Sequence, residues 1–233
     1  MTDAPAAKPA ARDPFDLPDV SGLTIGVIGG TGDQGRGLAY RWASAGLRVV
    51  VGSRDPQRAQ AAAAELGHGV TGAANADCAA AADVVLIAVP WAGHDATLAG
   101  LAPQLAGKVV IDCVNPLGFD KQGAFALHVA EGSACQRAAA LLPESVVVGA
   151  FHNVSAVELS DETKAEVAGD VLVLGDDRSA TDLVQALANV VPGMRGLYAG
   201  RLRNAGQVEA LTANLISMNR RYKAHASLKV TDI

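Results

Sequence analysis

Residues Gly30-Thr31-Gly32-Asp33-Gln34-Gly35 form a G-x-G-x-x-G. Glycines at that spacing let a strand turn sharply into a helix, and the helix amides and dipole then hold a pair of phosphates. The hexapeptide follows the β-branched run Leu23–Ile28 and opens a helical stretch from Gln34 to Ser44, the setting a dinucleotide pyrophosphate site requires. Gly30 is expected to make the tight turn, Gly32 to admit the pyrophosphate against the backbone, and Gly35 to let the helix lie close to the sheet. Thr31, Asp33 and Gln34 line the same turn. About 20 residues further on, an NAD site places a carboxylate against the ribose. This chain has Val51-Gly52-Ser53-Arg54 there, with no carboxylate until Asp55. Ser53 can donate to a 2′-phosphate, Arg54 can grip it with a fork of donors, and Arg58 adds a second charge one turn later. Cations at a helix N-terminus are unfavourable unless an anion compensates them. NADP is therefore expected rather than NAD.

The other reactive residue types form no recognisable catalytic set. There is no nucleophile–base pair at a known spacing and no carboxylate dyad. Cys78, Cys113 and Cys135 are odd in number and form no C-x-x-C, so free buried thiols in a reducing cytoplasm are expected. The five histidines include no pair at i, i+4, so no metal site is expected. His152 follows an apolar run at the edge where open α/β sheets bind ligands. Asn115 also follows a strand and is a candidate amide contact. Trp91 by itself reads as core, His94 as a helix-start residue, and Cys113 as a strand thiol.

The elements that must position these residues alternate. Strands are expected at Leu23–Ile28, Arg48–Val51, Asp83–Val89, Lys108–Cys113, Ser145–Phe151, Asp170–Leu174 and Arg195–Ala199. Helices fall between them, with a last long one over Ala205–His225 whose Val208, Leu211, Leu215 and Met218 share a face. Asn115–Gly132 reads as loop from its Pro, Gly and Asn content. Such alternation implies right-handed crossovers and a Rossmann-type α/β fold: a doubly wound, mostly parallel sheet with a small C-terminal α/β domain. The expected division is a flexible arm over 1–22, an NADP-binding domain over 23–150, and a C-terminal domain over 151–233. The 233 residues carry a net charge of −5, which argues against nucleic acid as a partner. The first 22 residues lack the apolar core of a secretory signal, and no run approaches the length of a membrane helix.

From Leu23 onward the chain resembles the NADPH-dependent reductases of coenzyme F420. The likeness runs through the glycine loop and Ser53-Arg54, through Val89-Pro90-Trp91 and Asn115-Pro116-Leu117, and through Phe151-His152-Asn153-Val154-Ser155-Ala156. It ends in Asn204, Val208-Glu209, Leu211-Thr212 and Asn214. The resemblance implies two cofactors, NADP(H) and coenzyme F420, with Thr31–Gln34 on the pyrophosphate and Ser53, Arg54 and Arg58 on the 2′-phosphate. Trp91, Leu117 and Ala156 would flank the nicotinamide, and Val89, Pro90 and Asn115 would be further cofactor contacts. His152, Val154 and Leu228 would meet the deazaflavin. The implied reaction is reversible hydride transfer between C4 of the nicotinamide and C5 of the 5-deazaflavin, which needs alignment and a dry site rather than an acid–base residue. Two alternatives are an NADP-dependent reductase of a small acid or imine and a non-catalytic redox sensor. A symmetric homodimer is expected. The net charge divides into −10 over residues 1–194 and +5 over residues 195–233, which suits a polyanionic cofactor meeting the C-terminal end.

Overall fold

The computed structural model describes residues 13–233. Six strands, β1 (Thr24–Ile28), β2 (Arg48–Ser53), β3 (Thr71–Ala74), β4 (Val84–Ile87), β5 (Val109–Asp112) and β8 (Val146–Gly149), run parallel in the order β3-β2-β1-β4-β5-β8. The chain winds outward from β1 in one direction and from β4 in the other. A crevice therefore opens at the carboxyl ends of β1 and β4, the place where doubly wound sheets bind ligands. The helices α1 (Asp33–Ser44), α2 (Pro56–Leu66), α3 (Asn75–Ala81), α4 (His94–Leu105) and α5 (Ala134–Leu141) follow successive strands.

Strand residues alternate between two cores, as a sheet covered on both faces demands. Ile25, Val27, Val84, Leu86 and Ile111 enter one; Ile28, Val85, Ile87 and Val110 enter the other. Trp42 of α1 is fully buried in the first, edge-on to Phe151 at 5.5 Å, and its indole N–H donates to the Leu187 carbonyl at 2.9 Å. The three cysteines are free and buried.

The segment after Phe151 extends this same sheet. It comprises α6 (Ala156–Ser160), β9 (Gly169–Leu174), α7 (Arg178–Asn189), β10 (Met194–Gly200) and α8 (Ala205–Tyr222). β9 pairs antiparallel with β8 through Gly149 and Leu174, and β10 lies parallel to β9. Because β8 and β9 meet at their carboxyl ends, the start of β9 projects past the carboxyl edge of the parallel strands.

Three features differ from expectation. β3 and α3 were not anticipated, because Thr71-Gly72-Ala73-Ala74 lacks the β-branched content that marks a strand. Gly72 is needed there: a Cβ would lie 2.3 Å from the Ala59 backbone of α2. The expected loop 115–132 contains a hairpin, β6 (Leu117–Asp120) and β7 (Gly123–Ala126), whose turn is held by Asp120 accepting from the amides of Gln122 and Gly123. Along α8, Val208 and Leu215 are buried, but Leu211 is half-buried and Met218 is exposed, so the anticipated stripe is covered at one end alone. Of the expected arm, residues 1–12 lie outside the described residues. Leu17 and Val20 pack against the first core.

Arg41 ties α1 to the C-terminal segment. Its buried guanidinium donates to the carbonyls of Leu159, Lys164, Glu158 and Asp161 at 2.7–3.0 Å. These include the unpaired carbonyls at the end of α6, where a cation is favoured. Arg41→Met keeps the apolar stem and strands those carbonyls. Urea unfolding should show a loss of about 2–4 kcal/mol; a loss below about 0.5 kcal/mol would mean water replaces the guanidinium.

Candidate functional site

The glycine loop occupies the turn from β1 into α1, at the crevice. The structure redistributes the roles of its glycines. Gly29 carries the left-handed turn, with φ +85°, and any Cβ on it would strike the Ala88 carbonyl at 2.4 Å. Gly30, expected to make that turn, instead packs flat on β2: a Cβ would meet Val51 at 2.7 Å. Gly35 acts as expected, since a Cβ would lie 2.7 Å from the Gly29 carbonyl and 3.1 Å from the Gly30 Cα.

Gly32 is different in kind. It is exposed, its backbone is extended (φ −90°, ψ 161°), and a Cβ would touch nothing closer than the Gly29 carbonyl at 3.4 Å. Neither strain nor packing requires glycine there. It stands as N-cap of α1 with no side-chain cap on the first-turn amides. A bare backbone facing outward from the first turn of a helix is what a phosphate needs. Thr31 and Gln34 are half-buried beside it and Asp33 is exposed. The Gln34 amide donates to the Phe151 carbonyl at 3.2 Å, which ties the glycine loop to the end of β8.

At the end of β2, the Ser53 hydroxyl accepts from the Asp55 amide at 3.2 Å, and Asp55 caps α2 by accepting from Gln57. Arg54 and Arg58 are exposed at this helix start. Among the described residues neither has an ion-pair partner. Two unpaired guanidinium groups at the positive end of a helix fit an adenosine 2′-phosphate.

Val89, Pro90 and Trp91 leave the end of β4 across the crevice. Val89 touches the glycine loop: a Cβ on Gly29 would come within 3.2 Å of its methyl group. Trp91 begins a single 3-10 turn and leans on the His94 ring, with centroids 5.2 Å apart. His94, read from sequence as a helix-start residue, is fully buried, and its Nε2 meets Asp112 Oδ2 at 2.6 Å. Burial alone would lower its pKa, but the bond and charge of Asp112, with a smaller contribution from Asp95, outweigh burial and raise it. Asp112 also accepts from the Val114 amide at 2.9 Å. The pair fixes the turn bearing Trp91 to the end of β5. An 18-residue separation with no motif gave the sequence no signal for it.

The loop after β8 is held from two sides. Phe151 has φ +63°, and the His152 carbonyl accepts from Asn115 Nδ2 and from Thr212 Oγ1, both at 3.0 Å. Thr212 was not singled out as a site residue; α8 delivers it from 60 residues away. Asn115 thus spends its amide on positioning this loop. The His152 ring, expected to face a deazaflavin, is 3% exposed and points inward, and burial lowers its pKa to about 4. It is the loop beyond it that faces outward. Val154 and Ala156 are half-buried. Val154 lines a cavity of about 180 Å³ with Asn153, Ser155, Glu158, Gly169–Val171 and Met194. His225 and Ser227 of the C-terminal tail also line it. Leu228 anchors that tail, its carbonyl accepting from the Asp170 amide at 2.9 Å. Leu117, half-buried, begins the hairpin. Of the C-terminal cations, Arg195 is committed to Asp170 through two bonds of 2.7–2.8 Å. Arg203, Arg220, Arg221 and Lys223 have no ion-pair partner among the described residues.

The glycine loop, Ser53, the two arginines, Val89–Trp91 and the loop at 151–156 thus share one edge of the sheet. A family model described as coenzyme F420-dependent NADP oxidoreductase matches residues 24–116. The F420-dependent NADP reductase of Methanothermobacter thermautotrophicus is 40% identical over 223 residues, spanning 91% of this chain and 96% of that protein. The F420-dependent NADP reductase of Methanocaldococcus jannaschii is 34% identical, spanning 91% and 99%. The crystal structure of a protein from Arthrobacter sp. FB24, provisionally assigned as an F420-dependent NADP reductase, superposes with a TM-score of 0.77 at 28% identity, covering 91% of this chain and all of that one.

Gly32 separates binding from folding. Gly32→Ala should unfold within about 1 kcal/mol of the parent, because its Cβ makes only an ordinary contact with the Gly29 carbonyl, while Gly35→Ala and Gly30→Ala should be clearly less stable. Gly32→Ala should nonetheless weaken NADPH binding, measured by fluorescence titration, by about tenfold or more. Unchanged affinity would remove Gly32 from the phosphate site.

Proposed function

The chain belongs to the coenzyme F420-dependent NADP reductase family, and we infer from that premise that it is an oxidoreductase passing a hydride between NADP(H) and coenzyme F420. The observation that carries the NADP half is the pair of unpartnered guanidinium groups, Arg54 and Arg58, beside Ser53, set across from the uncapped first turn of α1. When bound, the nicotinamide supplies a hydride donor at C4 and the deazaflavin an acceptor at C5.

The protein's own contribution is placement and exclusion of water. The amides around Gly32 and Thr31 receive the pyrophosphate. Ser53, Arg54 and Arg58 receive the 2′-phosphate. Val89, Pro90 and Trp91 bound the crevice on the β4 side, with Trp91 steadied by the buried His94–Asp112 pair. The loop 152–156 bounds it on the β8 side, fixed through the His152 carbonyl by Asn115 and Thr212. The cavity behind Val154, lined in part by the tail that Leu228 anchors, is the space we assign to the deazaflavin. Leu117 and Ala156 flank the nicotinamide. No side chain is required to hold or move a proton at the reacting carbons.

The division we favour is an NADP-binding portion over 23–150 and a deazaflavin-closing portion over 151–233 that share one sheet. Arg203, Arg220, Arg221 and Lys223 suit the phosphate and glutamate tail of F420. A homodimer is supported by the exposed apolar residues Phe119 and Phe125 of the hairpin and Met218 and Tyr222 of α8. Among the described residues no helix is long and apolar enough to cross a membrane, and three free thiols suit the cytoplasm.

NADPH mixed with oxidised F420 and the purified protein should bleach the deazaflavin's visible absorbance; no bleaching at any pH would refute the assignment. Arg54→Ala should raise KM for NADPH by about tenfold or more and leave NADH little changed. Equal losses for both would remove Arg54 from the 2′-phosphate. The parent should sediment as a dimer at micromolar concentration and Phe119→Asp as a monomer; a monomeric parent would rule the dimer out.

A further inference from the structure

We propose that Cys135, His152 and Glu209 form a closed binding site for a divalent transition-metal ion of the zinc type. The three come from the first turn of α5, the loop after β8 and the second turn of α8, and all are buried, with exposures of 0%, 3% and 2%. Their donor atoms lie within 4.8 Å of one another, and Cys135 Sγ stands 3.6 Å from His152 Nε2. Tetrahedral zinc, with Zn–S near 2.3 Å and Zn–N near 2.0 Å, sets those two atoms about 3.5 Å apart. Sequence spacing gave no hint of the site, because its members are 17 and 57 residues apart.

Two further observations support a ligand rather than ordinary packing. The first is space. Gly149 in β8 lies against the cluster, and a Cβ on it would come within 2.8 Å of the Cys135 sulfur and 3.2 Å of His152 Nε2. A glycine here keeps the two donors side by side. The second is charge. Two carboxylates, Asp112 and Glu209, are buried in this region, and among the described residues Glu209 has no cationic partner. His94 is engaged with Asp112. A divalent ion bound by one thiolate, one carboxylate and one neutral imidazole makes a neutral cluster, the state a buried site tolerates best.

The surroundings complete the site. Glu209 is oriented by the amides of Ala134 and Cys135, at 2.8 and 3.1 Å, and it also meets the Cys135 thiol. Such outer hydrogen bonds are what aim metal-binding carboxylates. The Asp112 carbonyl, 3.9 Å from the sulfur, is a fourth donor beside the cluster. A thiolate and an imidazole select zinc, cobalt or copper over magnesium and calcium. On binding, the thiol gives up its proton to solvent and sulfur bonds the metal, with no change of oxidation state. The ion would lock α5, the loop at His152 and α8 together behind the crevice. The proposal does not depend on which substrate the crevice takes.

The test uses the full chain, unfolded in chelator and refolded with Co²⁺ or Zn²⁺, since a closed site loads during folding. We expect about one Co²⁺ per chain, a sulfur-to-cobalt charge-transfer band, and displacement of cobalt by Zn²⁺. Cys135→Ala suits an α-helix and leaves the amide bonds to Glu209 in place, so it should refold. It should lose the band and bind Zn²⁺ about 100-fold more weakly. Glu209→Gln should also weaken Zn²⁺. Absence of a saturable charge-transfer band in the parent, or Zn²⁺ binding that Cys135→Ala leaves unchanged, overturns the proposal.

Discussion

A helix can offer its first-turn amides to a phosphate only if that turn comes down onto the backbone of the preceding strand. Here the contact is main chain on main chain, with Gly35 of α1 against Gly29 and Gly30, and a single added Cβ at any of the three would meet an atom within 2.8 Å. Much of the carboxyl edge is referenced to that approach. Gln34, on the same turn, bonds the end of β8. Val89 abuts Gly29 from the end of β4. Gly37, one turn along, brings α1 against Leu159 of α6, and Arg41 then gathers the carbonyls that follow. One helix therefore sets both the cofactor turn and the position of the C-terminal segment.

The C-terminal segment answers from the other side. β9 and β10 reverse direction, so they rise past the carboxyl edge instead of lengthening the sheet below it. α8 returns across the back and spends two polar side chains one turn apart, Glu209 on the amides opening α5 and Thr212 on the His152 carbonyl. A loop whose first residue has a left-handed φ has few ways to stay put. Here three hydrogen bonds, two onto the His152 carbonyl and one from Asn153 to Asp170, hold it. The proposed hydride transfer would reward such rigidity, because its rate depends steeply on how closely the two reacting carbons approach.

What could be read from the sequence follows the range of the interactions. The glycine turn, Ser53-Arg54 and the strand–helix alternation are local, and they were legible, as was the likeness to the F420-dependent reductases. Within the turn, the division of labour between Gly29 and Gly30 was not, since it depends on where β2 and Ala88 lie. Alanine and glycine hid β3 and α3, because β3 rests on the close contact of Gly72 with α2 and α3 on the contacts of Cys78 with Gly26 and Gly52, rather than on any intrinsic propensity. The inward ring of His152 and the pairing of His94 with Asp112 are products of three or more elements meeting, and no periodicity encodes such meetings. The basic C-terminal end was correctly counted from sequence, yet Arg195 proves to be a structural partner of Asp170.

The central claim is that the protein aligns two bound cofactors in a dry crevice so that hydrogen passes directly between them. NADPH deuterated at both C4 positions, reacted with F420 in ordinary water, tests it. Direct transfer places one deuterium at C5 of the reduced deazaflavin. A product carrying solvent hydrogen at C5 would contradict it, because hydrogen would then have passed through an exchanging group that this site is not built to supply.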